Sequence, residues 1–315
     1  MTTFSHTSDT AELPKIAHQL RLDVLEMLHQ AGSGHIGWPF GMADIFAALY
    51  FSFLNTNPLD PSDPERDYCL LSNGHICPIY YAALARRGFF PMAELGHLRK
   101  IDSLLQWHPK LSIPGVENSS WPLGHGLSQA VGIALALKMD EVQNAKSKVQ
   151  NEGNGTVNTA EAGVYQEISG IDFRLRGNDG RQRVVCCMSD GEHQEWQTWE
   201  AVMSANKWNL WNLIAIMDYN GLQIEWTTQD IMPMWDLPQK YRDFGWEVRE
   251  IDGHNFTEIL EALHWADGND IPTMIIAHTL LGKGVSFMEN NWKYHDWPAK
   301  EGDYEKALAE LSSTN

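Results

Sequence analysis

Two oxygen-bearing side chains stand at equivalent places in the stretch MSDGEHQEWQTWEAVMSANKWNLWNLIAIMDYNGLQIEW, which runs from Met188 to Trp226. Asp190 follows one apolar run at an Asp-Gly. Asn220 follows the next apolar run at an Asn-Gly, with one helix-like segment between them. If the two runs are neighbouring parallel strands, a carboxylate and an amide oxygen meet at adjacent strand ends. The backbone carbonyl of Leu222 can join them from the turn at Asn220-Gly221. Magnesium takes six hard oxygens and usually draws the remainder from water and phosphates, so the pattern suits an ion carrying a diphosphate. The same residues also suit a helix cap at Asp190 and a turn at Asn220. Spacing alone leaves both readings open.

The elements that must position these residues are legible from periodicity. Residues 12–31 carry Leu13, Ile16, Leu20, Val24 and Leu28 at a helical period, with Pro14 acceptable in the first turn. Gly41 to Leu54 reads as a second, buried helix, and His75 to Arg87 as a third. Gln129 to Met139 reads as a fourth, after the glycine-rich Leu123-Gly124-His125-Gly126. From about 140 to 182 the chain turns polar and rich in glycine and asparagine, which reads as a surface excursion of one 1–315 domain. A regular alternation follows: strands at 183–188, 213–218, 246–251 and 273–279, with helices at 195–208, 236–244 and 255–266. Continuous apolar strands separated by helices predict an α/β fold, a doubly wound parallel sheet with helices on both faces. Ligands in such sheets lie beyond the carboxyl ends of the strands, where Asp190 and Asn220 are expected.

Composition narrows the partners. The formal net charge is −18 over 315 residues, which argues against nucleic acid or an anionic membrane as partner. It also means that a phosphorylated substrate needs local cations, a metal or a second chain to offset repulsion. Cys69, Cys77, Cys186 and Cys187 show no C-x-x-C spacing, and the adjacent Cys186 and Cys187, inside an apolar strand, read as small buried apolar residues. Neither a signal pattern nor a membrane-length apolar run is present, and a cytoplasmic setting is the default expectation.

The thirty-residue separation of Asn220 from Asp190, with Glu195 and Trp199-Glu200-Ala201 between them, resembles the thiamine-diphosphate fingerprint, in which Gly-Asp-Gly is followed about thirty residues later by an Asn. Ser189 replaces the first glycine here. Four further motifs occur in the order of the transketolase family: SGHIGWPFGMADI (Ser33–Ile45), LSNGH (Leu71–His75), LQWHP (Leu105–Pro109) and PLGHG (Pro122–Gly126). LLGKGVSFMENNWKYHDWP (Leu280–Pro298) closes the series, so the resemblance covers residues 12–300 or so outside the polar excursion. It implies the diphosphate-binding domain of the thiamine-diphosphate-binding fold. Asp190, Asn220 and the Leu222 carbonyl would hold magnesium, or calcium or manganese in its place. His75, Leu123, Gly124, Asp190, Gly191, Glu195 and Asn220 would contact thiamine diphosphate, with Glu195 next to the pyrimidine side at a subunit interface. His35, His75, His108 and His295 would line the substrate funnel, each of them alone being an ordinary core or turn residue.

The resemblance implies transfer of a two-carbon ketol unit from a ketose to an aldose through the cofactor's carbanion. In that family the glutamate that activates the pyrimidine lies on a second domain, and this sequence ends after the first. The chain is therefore expected to be the N-terminal half of a split transketolase, active with a second subunit, two copies of each forming a heterotetramer. Arg99 alone is a thin phosphate site. Two alternatives remain: a 2-oxo acid decarboxylase or dehydrogenase-type subunit using the same cofactor, and an inert regulatory homologue. Trp38, Trp107, Trp121, Trp226 and Trp297 stand where the family pattern has Gly or Ala. Either they repack against the partner chain, or they narrow the funnel; Trp38 and Trp297 are the residues on which the second reading rests.

Overall fold

The computed structural model describes residues 3–151, 182–224, 226–297, 300 and 302–313, with the backbone alone at 144–151. Helix α1 (Leu13–Ala31) starts with Pro14 in its first turn. It stops where Gly32, at φ 66°, donates its N–H to the Leu28 and His29 carbonyls. Then come β1 (Gly34–His35), α2 (Gly37–Gly41), α3 (Ala43–Ala48) and a π-helical turn over Leu49–Phe53. Next are β2 (Tyr68–Leu71), α4 (Cys77–Arg87) and α5 (His125–Asn151). The alternation read from sequence follows as β3 (Val184–Ser189), α6 (Trp196–Lys207), β4 (Leu213–Tyr219) and, after a short α7 (Thr228–Ile231) outside that reading, α8 (Leu237–Asp243). It continues with β5 (Glu247–Asp252), α9 (Phe256–Asp267) and β6 (Thr273–His278), before β7 (Asp296–Trp297) and α10 (Asp303–Ser313).

Five strands form one parallel sheet in the order β2-β3-β4-β6-β5. Because successive side chains on a strand face opposite ways, each inner strand feeds two cores. Val185, Cys187, Ile214, Ile216 and Ile275 pack with α1, α3, α4 and α9 on one face. Val184, Cys186, Met188, Ala215, Met217 and Ile276 pack with α5, α6 and α8 on the other. The adjacent Cys186 and Cys187 thus serve opposite cores, and all four cysteines are buried and free.

Four features depart from the expected elements. Strand β2 was not anticipated. Helix α5 continues from the expected end at Met139 to Asn151, so residues 140–151 of the expected excursion are helical; 152–181 lie outside the described residues. Strand β5 is not an unbroken apolar run but an edge strand, with Ile251 its one buried residue. Lastly, β1 and β7 pair antiparallel, Gly34 with Trp297 and His35 with Asp296, joining segments far apart in sequence.

That clasp sits on a braced platform. Arg21 and Asp44 form a buried pair at 2.6 Å, and Asp44 also meets His254 Nδ1 at 2.7 Å. His254 Nε2 accepts the N–H of Leu280 at 2.9 Å. This fixes the turn after β6 against α2, where a Cβ on Gly41 would fall 2.9 Å from the Leu280 carbonyl oxygen.

Candidate functional site

Parallel strands β3 and β4 are in register, Ser189 opposite Asp218, so the residues just beyond them share one end of the sheet. There Asp190 spans both turns: Oδ1 accepts the Gly191 N–H at 2.7 Å, and Oδ2 accepts the Gly221 N–H at 2.7 Å. Asn220 Oδ1 accepts the Leu222 N–H at 2.9 Å. The cap-and-turn uses of these residues are therefore present. Both residues also line a cavity of about 410 Å³, together with Leu222 and Gly191.

Two buried acids escaped the sequence reading. Asp218 lies behind Asp190 and accepts a hydrogen bond from Thr279 Oγ1. Burial pushes Asp218 up to about 6, and burial together with the Asp218 charge pushes Asp190 up to about 7. Glu192, fully buried, accepts the Ser189 N–H at 3.0 Å and is pushed up to about 7 by burial. Asp218 had a legible signal, an acid closing an apolar strand run beside Asn220. Glu192 had none, since an acid in a polar motif reads as exposed. A carboxylate crowded by a second carboxylate, beside an amide and a carbonyl oxygen, is a donor set that suits a hard cation.

The same cavity collects the four histidines His35, His75, His108 and His295. His35 comes from β1, His75 from the 3₁₀ turn Gly74–Ile76, His108 from a loop, and His295 from the residue before β7. His35 lies edge-on to His75 and His295, with ring centroids at 5.7 and 4.9 Å. Burial first, and the neighbouring rings next, hold His35 down to about 4. His75 is pushed well below its ordinary value by the same two causes, and burial also lowers His108 and His295. All four rings are therefore neutral at pH 7. Nδ1 of His35 is buried and lies 2.8 Å from Oδ1 of Asp296.

Leu123 lines the cavity, whereas Gly124 and Glu195 do not. Gly124, at φ 78°, packs so closely on the start of α6 that a Cβ would lie 2.9 Å from Glu195 Cβ. Glu195 itself is exposed. Of the five tryptophans, Trp38 and Trp121 line the cavity. Trp107 lies edge-on to His35 at 5.2 Å and carries the Arg99 guanidinium on its face at 3.5 Å. Trp226 is 59% exposed. Trp297 is buried in the α1-side core and does not line the cavity, so any narrowing of the funnel falls to Trp38 and Trp121.

Comparison with known proteins follows the same lines. Residues 13–167 and 151–312 match the family described as transketolase, thiamine diphosphate binding domain. The chain is 35% identical over 302 residues to the 6-deoxy-6-sulfo-D-fructose transketolase subunit SqwG of Clostridium sp. strain MSTE9, covering 95% of this chain and 96% of that protein. It is 32% identical over 305 residues to an apulose-4-phosphate transketolase subunit of Phocaeicola vulgatus, covering 96% and 94%. The crystal structure of transketolase from Campylobacter jejuni superposes with a TM-score of 0.79 at 30% identity over 96% of this chain. The chain spans 43% of the length of that transketolase.

Proposed function

The chain belongs to the transketolase family, and from that premise we propose that it is the diphosphate-binding subunit of a two-chain transketolase. The reaction is transfer of a two-carbon ketol unit from a ketose to an aldose. One observation carries the reading: four neutral histidines line the same cavity as Asp190, Asn220 and Leu222. The fit of that donor set to a hard cation supports magnesium, or calcium or manganese, held by Asp190, Asn220 and the Leu222 carbonyl. His75, Leu123, Gly124, Gly191 and Glu195 complete the proposed cofactor contacts, Gly124 and Glu195 from the wall against which a second chain would close.

When bound, thiamine diphosphate supplies the nucleophilic carbon and the electron sink for the two-carbon unit. The rest falls to this chain's side chains. His35 and His295 exchange protons with the oxygens that leave and enter, which neutral rings do at pH 7 without first losing a proton. His75 and His108 hold the hydroxyls of the two-carbon end. Such a ring of imidazoles suits a polyol better than a 2-oxo acid.

Around the cavity mouth the surface is apolar. Trp121 (73% exposed), Ile224 (64%) and Ile231 (49%) line the cavity and reach solvent. Trp196, Trp226 and Trp235 lie on segments that follow β3 and β4 and are also exposed. Aromatic residues at this density support a docking face for a second polypeptide. The relatives named as subunits match this chain over nearly their full length, which supports a separate partner carrying the pyrimidine-binding half. We place two copies of each chain in the assembly and the assembly in the cytoplasm, a setting that suits four free, buried cysteines. That one five-stranded sheet runs from β2 to β6 with helices packed on both its faces supports reading residues 1–315 as a single domain.

The two relatives named above act, by name, on a sulfonated and a phosphorylated sugar. A donor with an anionic far end is accordingly the proposed substrate class, its anion held largely by the partner, because Arg99 is stacked on Trp107. The test is co-purification followed by assay. An equimolar partner that turns on magnesium- and thiamine-diphosphate-dependent ketose cleavage establishes the reading. A chain that binds no thiamine diphosphate with magnesium at millimolar levels overturns it.

A further inference from the structure

Outside the strand-end acids, one cluster at the cavity mouth stands out. Oδ1 of Asp296 lies 2.8 Å from Nδ1 of His35 and 3.8 Å from Nε2 of His295. By spacing, the three side chains could hold a metal ion. A fourth residue decides against this. The indole N–H of Trp38 donates to Nδ1 of His295 at 2.8 Å. An indole N–H only donates, so Nδ1 of His295 must offer its lone pair. Burial keeps the His295 ring neutral at pH 7, and its single proton then sits on Nε2. A protonated Nε2 has no lone pair for a metal.

We infer that Trp38 is a positioning residue that fixes His295 in the Nε2–H tautomer, so that the ring presents a hydrogen-bond donor to an oxygen at the cavity mouth. The indole is well placed to hold this setting. Trp38 is 4% exposed, and its ring meets His75 and His295 edge-on at 5.9 and 5.3 Å. Asp296 reinforces it, since a carboxylate accepts and never donates when ionised. It faces the Nε2–H side of His295, where an acceptor favours the proton. In that tautomer His295 can hydrogen-bond an alcohol or carbonyl oxygen of a sugar and stabilise charge that develops there. It cannot draw a proton from a hydroxyl at the same nitrogen. Base work at this end of the cavity then belongs to His35, with His295 serving as the acid.

The catalytic consequence rests on the ketol-transfer reading, but the tautomer does not, and the experiment separates them. Long-range ¹H–¹⁵N correlation spectra of the chain labelled with [¹⁵N]histidine report which ring nitrogen carries the proton, with His295→Gln assigning the signal. The expected result is a single Nε2–H tautomer for His295 in the wild type and a mixture in Trp38→Phe, which keeps an aromatic ring and removes the donor. In the assembled enzyme, Trp38→Phe should lower kcat about tenfold, a fraction of what a general acid contributes, and change KM less than twofold. An Nδ1–H tautomer in the wild type overturns the inference. So does an unchanged tautomer in Trp38→Phe, or one-to-one zinc binding that shifts the His35 and His295 signals together. Should Trp38→Phe fail to fold, the wild-type spectrum alone still decides. An Nε2–H tautomer in a chain that supports no ketol transfer with any partner leaves the inference standing and removes the function.

Discussion

Asp190 holds two strand-end turns together through its hydrogen bonds to Gly191 and Gly221, yet sits where its own charge is costly. Burial and Asp218 push it up to about 7, so at neutral pH a proton competes with a cation for the same carboxylate. The affinity for magnesium with thiamine diphosphate should therefore fall about tenfold between pH 8 and pH 6, read as a smaller ligand-induced rise in Tm. A flat profile would show that Asp190 is not the titrating ligand. His35 has the opposite sign. Its folded value of about 4 lies below the ordinary 6.5, so its contribution to stability is intact above pH 6.5 and is lost as pH falls toward 4. Urea unfolding of the wild type and His35→Gln should show their stability difference moving against the wild type below pH 6.5. The slope should be at most about 1.4 kcal/mol per pH unit. If the difference is constant from pH 7 to pH 4.5, the imidazole is not held neutral by the fold.

Glycines fix how closely the elements carrying these residues approach. A Cβ on Gly126, at the start of α5, would fall 2.4 Å from the Ser72 Cα and 2.7 Å from its backbone nitrogen. Neither backbone can step aside. Gly126→Ala should cost at least about 1–3 kcal/mol and displace the Ser72–His75 turn, weakening cofactor binding beyond the stability loss. Gly132, in the same helix, has nothing within 4 Å of its Cβ position, and Gly132→Ala should stabilise by roughly 0.5–1 kcal/mol. Denaturant midpoints for the two variants check both claims, and equal effects would refute the packing argument. The long alternating stretch after residue 183 was legible in sequence because each inner strand feeds two cores and so reads as a continuous apolar run. The first strand of the sheet was not legible, since Tyr68–Leu71 is four residues long and shows no period. The end of α5 was missed because its last turns, beyond Met139, carry mostly polar residues. In the site, Asp190, Asn220 and the histidines were legible through their turn and motif contexts. Glu192 was hidden because its burial comes from tertiary packing, and Trp297 was misplaced because the β1–β7 pairing turns it inward.

On the whole molecule, an acidic chain of net charge −18 carries a cavity of neutral histidines edged by the exposed Trp121, Ile224 and Ile231, and further exposed tryptophans at Trp196 and Trp235. Net charge of this size disfavours direct contact between copies of the chain, so the exposed tryptophans are read as facing the second polypeptide of the proposed assembly. Trp196 and Trp235 are 83% and 75% exposed, so Trp196→Asp and Trp235→Asp should leave the unfolding midpoint within about 0.5 kcal/mol of wild type. Capture of the partner should weaken by tenfold or more, about 1.4 kcal/mol, as measured by surface-immobilised binding. Unchanged capture by both variants would move the interface elsewhere. The antiparallel clasp of Gly34–His35 with Asp296–Trp297 has a consequence for the order of synthesis. A ribosome adds roughly 5–20 residues each second, so the first half of the clasp waits on the order of tens of seconds for the second. The parallel sheet can gather in that interval, but the pocket of His35 cannot close until Trp297 has left the exit tunnel. A nascent chain stalled before that point would carry a nearly complete sheet and an unclosed cavity, so the pocket of His35 takes shape only after the scaffold beneath it.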